Sequence, residues 1–484
     1  MHWFQAPEYW SSRLLVGRAL AGTYLIAFLV AANQFRPLLG ERGLLPVRRF
    51  LAAVPFARAP SLFHWHYSDR FLGVVAWSGV VLSAGALAGL ADAGPLWLWM
   101  VVWFLLWALY LSIVNVGQVF YAFGWESLLL ETGFLAIFLG PARTAPPVLV
   151  VWLLRWLLFR VELGAGLIKL RADPCWRDLT CLRYHHETQP MPNPLSWFFH
   201  HLPEPLHRLE VLANHVAQLL VPFGLLAPQP VAGAAGAVVV VTQGWLLLSG
   251  NFSWLNLLTV TLALACFDDA QLGRLLPAGH AALAAPPRWF ELATIAMAAL
   301  IAALSWRPAR NLVSRHQLMN AAFDPLRLVN AYGAFGAVTR ERYEVVLEGT
   351  ADPVPHPGSA WKEYEFKGKP GDPRRRPPQV APYHLRLDWL LWFAAMSPAP
   401  SEPWLVRLAE KLLQGDRATL RLLRRNPFPD APPSWVRATR YRYRFSSRAE
   451  RRRTGAWWVR TPAGSYLPPL SLGRAGERRR RLPG

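Results

Sequence analysis

Cysteine is scarce in this chain of 484 residues, which contains only three. So small a number excludes a fold held together by a framework of disulfides. Cys175 and Cys181 lie close enough in the sequence to pair if their segment faces an oxidising compartment. Their spacing is not the Cys-x-x-Cys of a redox or zinc site, so the alternatives are one local disulfide or two free thiols.

Acidic residues are also few, with 30 Asp and Glu against 51 Lys and Arg. The imbalance is concentrated late in the chain, because 33 basic and 15 acidic side chains lie from Arg307 onward. No zinc-finger or RNP-type motif accompanies this charge, so we expect no nucleic-acid partner. Beside a bilayer, a basic face attracts anionic lipid headgroups, and membrane lipids are therefore expected partners. An acidic protein would suit the same face.

A cleavable signal peptide is not expected, because the first residues lack a basic n-region and the first apolar run has no Ala-x-Ala site. Apolar residues are abundant: the hydrophobic class makes up 53% of the chain, and there are 24 Trp. Several apolar runs reach the roughly 18–20 residues that a membrane span requires. We therefore predict an α-helical multi-pass membrane bundle of about eight or nine helical segments.

We infer the domain boundaries from the end of the long apolar runs near residue 306. Residues 1–306 are the predicted transmembrane domain, which includes an interfacial loop at 171–205. Residues 307–470 are a small basic α+β soluble domain, and 471–484 are an Arg-rich disordered tail. The predicted membrane helices are Leu14–Gln34, Phe71–Leu90, Leu96–Val116, Trp125–Leu139, Val148–Leu170, Leu206–Leu226, Val231–Leu248, Asn251–Phe267 and Phe290–Leu304.

The soluble domain shows the shorter periods of mixed α and β structure. Residues Arg342–Thr350 and Arg437–Ser447 alternate apolar or aromatic side chains with charged ones, which predicts strands. The stretch around Tyr364 reads as a further strand that ends at a Pro-Gly-Asp-Pro turn. Leu385–Met396 and Pro403–Asp416 are predicted to be helices.

Two apolar segments carry charges that are costly within a bilayer, at roughly 2.5–3.5 kcal/mol each on insertion scales. Glu126 and Glu131 are five positions apart, so on a helix they point about 140° away from each other and each should meet its own cation. Arg155, Glu162 and Lys169 recur every seven residues, which places them on one helical stripe that drifts by about 20° per step. We expect this charged stripe to pair with the two glutamates.

Small residues accompany the charged stripe, since Gly164, Ala165 and Gly166 would let a neighbouring helix approach closely. Structural ion pairs that orient the bundle are one interpretation. The other is a polar cavity in which a desolvated Lys169 has a lowered pKa and acts as a base.

Several long blocks of the sequence resemble the lipase maturation factor family. They read FYAFGWESLLLETGFLAIFLGP, RWLLFRVELGAGLIKLR, CWRDLTCLRYHHETQPMPNPLSWFFHHLP, LRLVNAYGAFGAVTRERYEVVLEGT and WKEYEFKGKPGD, and lie between about Phe120 and Ala395. The resemblance implies a multi-pass membrane protein that helps secreted dimeric lipases to fold, assemble and leave the endoplasmic reticulum. It implicates the loop between spans and the C-terminal domain in this role. The loop residues that carry the family signature are Cys175, Trp176, Arg177, Asp178, Leu179, Tyr184, His186, Glu187, Thr188, Gln189, Pro190, Met191, Pro192, Asn193 and Pro194.

A shorter stretch, GAGLIKLRADPCW, is similar to the horizontally transferred transmembrane (HTTM) domains of vitamin K-dependent γ-carboxylases. In those enzymes a lysine serves as the base, and Lys169 falls on that position. This resemblance implies an alternative function as a membrane enzyme acting on a lipid, quinone or polypeptide. A lipid-binding scaffold that uses the basic face is a third alternative. No cofactor is predicted.

The segment from Trp176 to Pro203 departs from the apolar texture around it. Each X-Pro step restricts its neighbour to extended backbone, which predicts a stiff strap of polyproline type. Its aromatic residues suit the membrane interface. We expect its charged and histidine residues to cluster at the mouth of the charged stripe, and these residues are Arg177, Asp178, His185, His186 and Glu187. Adjacent histidines point in different directions and no carboxylate spacing completes a site, so no metal site is predicted.

We predict a membrane-embedded maturation factor for exported proteins, above all lipases, that holds clients through the 175–203 loop and the C-terminal domain. A structural cap that closes the bundle is the competing interpretation of the loop. Composition favours a bacterial plasma membrane, whereas a eukaryotic source would place the protein in the endoplasmic reticulum. The positive-inside rule places the Arg-rich loop at 35–70 and the C-terminal domain in the cytoplasm, while the family resemblance places that domain in the lumen.

Overall fold

The computed structural model describes residues 2–273 and 283–473, and the predicted Arg-rich tail lies outside these ranges from residue 474 onward. The first part of the described chain is helical. Its helices are α1 (Trp10–Leu39), α2 (Val47–Ala53), α3 (Asp69–Ala88), α4 (Leu90–Ala93), α5 (Leu96–Asn115), α6 (Gly124–Ala136), α7 (Val148–Arg171), α8 (Pro174–Arg177), α9 (Leu182–Thr188), α10 (Ser196–His200), α11 (Glu204–Leu219), α12 (Val221–Leu225), α13 (Val231–Ser249), α14 (Leu255–Leu264), α15 (Asp269–Leu272), α16 (Arg288–Leu304) and α17 (Trp306–Val313).

Five helical stretches in the described chain are long and apolar enough to cross a membrane: Pro7–Leu39, Asp69–Ala88, Leu96–Asn115, Val231–Ser249 and Arg288–Val313. Their outward faces are apolar as well as their inward ones. On α3, for example, Val74, Trp77 and Val81 are more than half exposed. Patches of this kind suit contact with lipid rather than with water. The N-terminal region is therefore a helical bundle with five candidate membrane spans among its described residues.

The other predicted spans differ in length or continuity. The helix predicted at Leu206–Leu226 divides at Leu220 into α11 and the short α12. Charged and polar residues line one side of α11, whereas Pro222 lies in the first turn of α12, where proline is tolerated. The segment predicted at Asn251–Phe267 is helical only over α14. α7 has the predicted length but carries too many charges to count as an apolar span.

The C-terminal region is mixed α and β, as predicted. Its elements are β1 (Arg342–Thr350), β2 (Lys362–Glu363), β3 (Glu365–Phe366), α18 (Arg386–Met396), α19 (Pro403–Leu413), α20 (Arg417–Leu420), β4 (Leu423–Arg425), β5 (Trp435–Phe445), α21 (Arg448–Thr454) and β6 (Trp458–Leu470). One antiparallel sheet has the order β2-β1-β5-β6, and β3 pairs with β4 in a second sheet. The strand predicted around Tyr364 is thus divided between two sheets.

The largest hydrophobic core of the described chain runs through both regions. It includes Tyr24 and Leu128 of the helical bundle together with Leu347 and Trp404 of the C-terminal region. Phe120 of the bundle packs edge-on against Trp404, with ring centroids 5.9 Å apart. The C-terminal region is therefore packed onto the bundle rather than tethered to it.

The segments that connect the helices lie at the two ends of the bundle. At one end, the start of α1 meets the later connections, since Ala6 N donates to Pro146 O at 2.9 Å. At the other end, Gln34 Nε2 donates to His384 O at 2.6 Å, which ties the close of α1 to the C-terminal region. Asn115 Nδ2 donates to Pro60 O at this same end. Three parts of the chain therefore share one end, which we call the loop end. They are the Arg-rich loop at 35–70, which we call the first loop, the 171–205 loop and the C-terminal region.

Candidate functional site

A central cavity of about 850 Å³ lies at the loop end, between the bundle and the C-terminal region. Helices α7, α9, α11 and α13 contribute to its wall, as do residues 332–339. Most of the lining is apolar or aromatic, as in pockets that bind small molecules. A small set of polar groups converges at one side, and these groups are Glu162, Lys169, Gln218, Gln243 and Asn256.

The polar set is a connected hydrogen-bond network drawn from four helices. Lys169 Nζ donates to Gln218 Oε1 at 2.6 Å. Gln218 and Gln243 both donate to Glu162, at 3.2 and 2.9 Å. Asn256 Nδ2 donates to Gln243 Oε1 at 2.7 Å. Gln218 thus lies between the two charges of α7, so that Lys169 reaches Glu162 through it, and Gln243 connects Glu162 to Asn256.

Close approach of α11 to α7 makes this network feasible. A Cβ atom on Gly166 would lie only 2.9 Å from the carbonyl oxygen of Gln218. On the neighbouring face, a Cβ atom on Gly164 would lie 2.4 Å from the carbonyl oxygen of Tyr332. The predicted close approach of a neighbour to these glycines is confirmed, by a helix at Gly166 and by the C-terminal segment at Gly164.

The expected pairing of the charged stripe with the two glutamates is wrong. Glu131 contacts Arg160 of α7, and its Oε2 accepts from Asn330 N at 3.0 Å and from Tyr332 OH at 2.8 Å. Glu126 Oε1 accepts from Arg386 Nη1 at 2.7 Å. Each glutamate does have its own cation, as the 140° offset indicated, but the partners lie outside the stripe.

Arg155 lies about two turns of α7 before Glu162 and does not join the network of the other two members of the stripe. Its Nε donates to Ala265 O at 3.0 Å, and its guanidinium lies 5.0 Å from the ring centroid of Tyr9. Carbonyl and aromatic contacts therefore take the place of a carboxylate. Arg155 lies at the opposite end of the bundle and is no part of the central cavity.

The loop between α7 and α11 is not the continuous extended strap that its prolines predicted. It contains the short helices α8, α9 and α10, with extended backbone between α9 and α10. Cys175 and Cys181 form a disulfide next to α8. Asp173 accepts from Cys175 N at 3.0 Å and pairs with Arg340 at 2.8 Å, which ties the disulfide to the C-terminal region. These hydrogen bonds outweigh the effect of burial and lower the pKa of Asp173.

Most of the predicted loop residues are buried, and they join the two regions. Asn193 Nδ2 donates to Leu247 O and Leu248 O at the end of α13. Arg342 of β1 contacts the loop carbonyls of Glu187, Gln189 and Pro190. Pro194 O accepts from Arg376 at 3.0 Å. The loop is thus an internal connector whose backbone is held by both regions.

The expected polar cluster of loop residues is only partly formed. Trp176, His185 and His186 line the central cavity, and burial, with a further contribution from Lys169, lowers the pKa of His185 to about 4. Arg177 and Asp178 are exposed and do not line the cavity. Glu187 Oε2 instead accepts from Phe445 N at 2.7 Å. Tyr184 lies outside the cavity, beneath the guanidinium of Arg340 at 4.9 Å.

Several residues that build the site were not predicted from the sequence. Gln243 is one of few polar residues on the apolar helix α13, whereas Gln218 is one of many polar residues on α11. Asn330 and Tyr332 lie within the block LRLVNAYGAFG, which was recognised as a family block but given no role. A polar residue on an apolar helix is the signal that could have indicated Gln243, whereas no comparable signal distinguishes Gln218 from the other polar residues of α11.

Comparison with known proteins gives one consistent result. Residues 11–274 match the model of the lipase maturation factor transmembrane domain, and residues 328–468 match that of the lipase maturation factor C-terminal domain. The chain is 46% identical to lipase maturation factor 1 of Bos taurus, over 96% of this chain and 90% of that protein. Identity to lipase maturation factor 1 of Homo sapiens is also 46%, over 96% and 88%. Lipase maturation factor 2 of Homo sapiens is 31% identical, over 95% and 83%. No solved structure matches.

Proposed function

Since the chain belongs to the lipase maturation factor family, we propose that it is a membrane maturation factor for lipases. The observation that carries the proposal is the extent of the likeness, which covers 96% of the chain and includes both the bundle and the C-terminal region. The internal fit of the two regions supports it, because the matched parts form one continuous core. A protein with this architecture can hold a membrane-proximal client without any covalent step.

The test is rescue of lipase secretion. Cells that lack their own lipase maturation factor 1 would express a secreted lipase together with this chain, and active lipase in the medium would be measured. We expect active secreted lipase to rise well above that of cells with an empty vector. Equal lipase protein inside the cells and no gain of activity outside would contradict the proposal.

We further propose that clients meet the protein where the loop joins the C-terminal region. Four side chains form a patch there, which we call the aromatic–arginine patch: Phe198, Arg376, Arg451 and Trp457. The Arg451 guanidinium lies 3.6 Å from the ring centroid of Trp457 and 5.5 Å from that of Phe198. Apolar and cationic groups side by side suit a partly folded client that exposes apolar and acidic side chains. Deeper loop residues such as Gln189 and Asn193 are buried and would position this patch.

A matched pair of substitutions tests the patch. Phe198 and Phe56 are each 44% exposed, but Phe56 lies in the first loop. Phe198→Ser should reduce the amount of lipase that co-purifies with the chain in mild detergent, whereas Phe56→Ser should leave it unchanged. An equal loss in both variants, or in neither, would place the client elsewhere.

The endoplasmic reticulum membrane, with the loop end in the lumen, is the proposed location. The Cys175–Cys181 disulfide supports it, because disulfides persist in oxidising compartments. Because the first loop and the C-terminal region lie at the same end of the bundle, both would be lumenal. Their arginines would then depart from the positive-inside rule, and the placement follows the family resemblance. The named relatives are vertebrate proteins, so the comparisons give the bacterial plasma membrane no support.

Engineered glycosylation sites test the orientation. Pro357→Asn creates Asn-Gly-Ser in the C-terminal region, and Phe56→Asn with Arg58→Thr creates Asn-Ala-Thr in the first loop. Both variants should gain an endoglycosidase-sensitive mass increase when expressed in mammalian cells. Modification of only one of the two would contradict a common lumenal end.

The central cavity supports a second candidate function, as a membrane enzyme with Lys169 as base. Lys169 lines the cavity, and its ammonium donates to a neutral amide, Gln218, rather than directly to a carboxylate. A lipid or quinone bound by the wild type, and turned over by the wild type but not by Lys169→Met, would favour this enzyme. A lipase retained equally by both forms, with no such molecule, would support the maturation factor alone.

A further inference from the structure

Three metal-ligating side chains meet where α9 packs against α11, at the edge of the central cavity. His207 Nδ1 lies 3.2 Å from Glu210 Oε2, and His186 Nε2 lies 4.0 Å from the same oxygen. The nearest ligand atoms of the three residues all lie within 4.8 Å of one another. His207 and Glu210 are three positions apart on α11, which places them on one face of that helix.

His186 has no hydrogen-bond partner to explain its burial. Its side chain is only 3% exposed, and both ring nitrogens are buried without a partner in the part of the chain that the structure describes. An unpaired buried polar group is unfavourable, and in native proteins it usually marks a missing water, ion or ligand.

Two of the three side chains are already oriented by outer hydrogen bonds of the kind that metal ligands receive. His207 Nε2 lies 3.4 Å from His200 O, and Nδ1 forms a hydrogen bond with Glu210 Oε2 at 3.2 Å, so a bound metal ion would replace the proton between these two atoms. Glu210 Oε1 accepts from Trp245 Nε1 at 2.8 Å, which leaves Oε2 facing the two imidazoles. Histidine ligands in metal sites almost always donate their other N–H to a carbonyl or carboxylate in this way.

We propose that His186 Nε2, His207 Nδ1 and Glu210 Oε2 bind a divalent transition-metal ion, with Zn²⁺ as the preferred ion. Two imidazoles and one carboxylate are a zinc ligand set that leaves a fourth position open, and His186 and Glu210 both line the central cavity. Bond lengths of about 2.0–2.2 Å place tetrahedral ligand atoms roughly 3.3–3.5 Å apart. The His207–Glu210 separation of 3.2 Å fits this spacing. His186 would approach Glu210 by about half an ångström and His207 by up to about 1.3 Å, since the three ligand atoms lie within 4.8 Å of one another.

The other metal-like group in the described chain does not compete. It consists of Asp173, Cys175 and Cys181, and both sulfurs are committed to the disulfide, which offers no thiolate. Calcium and magnesium are disfavoured at the proposed site because they require oxygen ligands, of which only one is present.

Metal content of the full-length protein in detergent tests the proposal. After incubation with Zn²⁺ and removal of free metal by dialysis, we expect the wild type to retain about one zinc per chain by mass spectrometry. His207→Ala and Glu210→Gln should each bind Zn²⁺ at least about 100-fold more weakly, which exceeds the 10–100-fold loss of an outer-shell change. His215→Gln is the matched control: this residue lies on α11 outside the cluster, and Nε2 bonds Trp176 O.

The absorption spectrum with Co²⁺ is a second test, and it uses the wild type alone, so it does not depend on the stability of any variant. Co²⁺ added to the wild type should give the visible d–d bands of a four-coordinate nitrogen and oxygen site, and Zn²⁺ should bleach them in a 1:1 titration. Failure of the wild type to retain Zn²⁺ or to give these bands would overturn the proposal. Retention of Zn²⁺ by His207→Ala and Glu210→Gln at wild-type affinity would overturn it as well.

Discussion

Glu126 and Glu131 show what can and cannot be predicted at the scale of single residues. Acidic side chains within apolar helices require cations, and the structure supplies one to each. The identity of one partner was beyond prediction, because Arg386 lies 260 positions after Glu126 and no periodicity connects them. Arg160 lies on α7 beside the predicted stripe, but its pairing depends on how α6 rotates against α7, which the sequence does not determine.

Removing Arg386 should be strongly destabilising. Both side chains of the Glu126–Arg386 pair are fully buried, so Arg386→Met would leave an unpaired carboxylate inside the protein. We expect a loss of about 3–5 kcal/mol in the free energy of unfolding, measured by denaturant titration in detergent. Arg208→Met removes a pair with Glu204 in which the arginine is 55% exposed, and it should change stability by less than about 0.5 kcal/mol.

The double substitution Glu126→Gln with Arg386→Met supplies the decisive comparison. Because it removes both charges together, it should recover much of the stability that Arg386→Met loses. A double variant less stable than Arg386→Met would show that the two residues act independently.

Asp388 should make the free energy of unfolding depend on pH in the acidic range. Burial raises the pKa of this carboxyl from 3.8 to about 6, although Gly368 N donates to it at 2.6 Å. Between those two values the folded protein binds the proton more tightly than the unfolded chain, so stability falls as pH rises from about 4 to 6. Asp388→Asn should flatten that part of the profile, as followed by thermal unfolding. An unchanged slope would mean that Asp388 is already ionised at pH 5.

At the scale of elements, α7 is the helix on which the site depends. Its bounds were predicted almost to the residue, as were those of β1. β6 was not predicted, because Pro462, Pro468 and Pro469 interrupt the alternation that indicates a strand. Proline is tolerated in β6 because β6 is an edge strand that pairs only with β5, so that a missing backbone N–H can face outward.

A methyl group on one face of α7 should disturb the whole junction. Gly164→Ala would place a carbon 2.4 Å from the backbone oxygen of Tyr332, which cannot move like a flexible side chain. We expect a lower midpoint of thermal unfolding and weaker protection of residues 328–336 from hydrogen exchange. Gly73→Ala on α3 is the control, since nothing lies within 4 Å of its added carbon. It should stabilise by up to about 1 kcal/mol through helix propensity. Equal behaviour of the two variants would contradict the close packing.

The candidate metal cluster explains why a site can escape inspection of a sequence. His207 and Glu210 have the i, i+3 spacing of one helical face, but His186 belongs to a different helix. Adjacent histidines attract attention in a sequence, although only one member of the pair at 185–186 faces the cluster. The prolines of the loop predict extended backbone, whereas the structure contains the short helix α9 just before them. This helix determines which side chains of the loop face the cluster.

For the whole molecule, the shared core predicts that the bundle does not fold alone. A chain ending at Val313 lacks Asn330, Tyr332 and Arg386, and so leaves both buried glutamates short of partners. We expect this fragment to aggregate in detergent by fluorescence-detected size exclusion. Replacement of the exposed residues 354–358 by a Gly-Ser linker should leave the full-length profile unchanged. A monodisperse fragment with the thermal stability of the full chain would contradict a shared core.

The long reach from Glu126 to Arg386 also sets the timing of biosynthesis. Chains are elongated at about 5–20 residues per second, so the 260 intervening residues take roughly 13–50 s to synthesise. During that interval Glu126 has already been synthesised with the apolar helices around it, whereas Arg386 has not yet been added to the chain. The glutamate must be protonated, hydrated or held by another protein until then. A protein of a family that assists the maturation of others thus passes through an immature stage of its own, which ends only when its C-terminal third arrives.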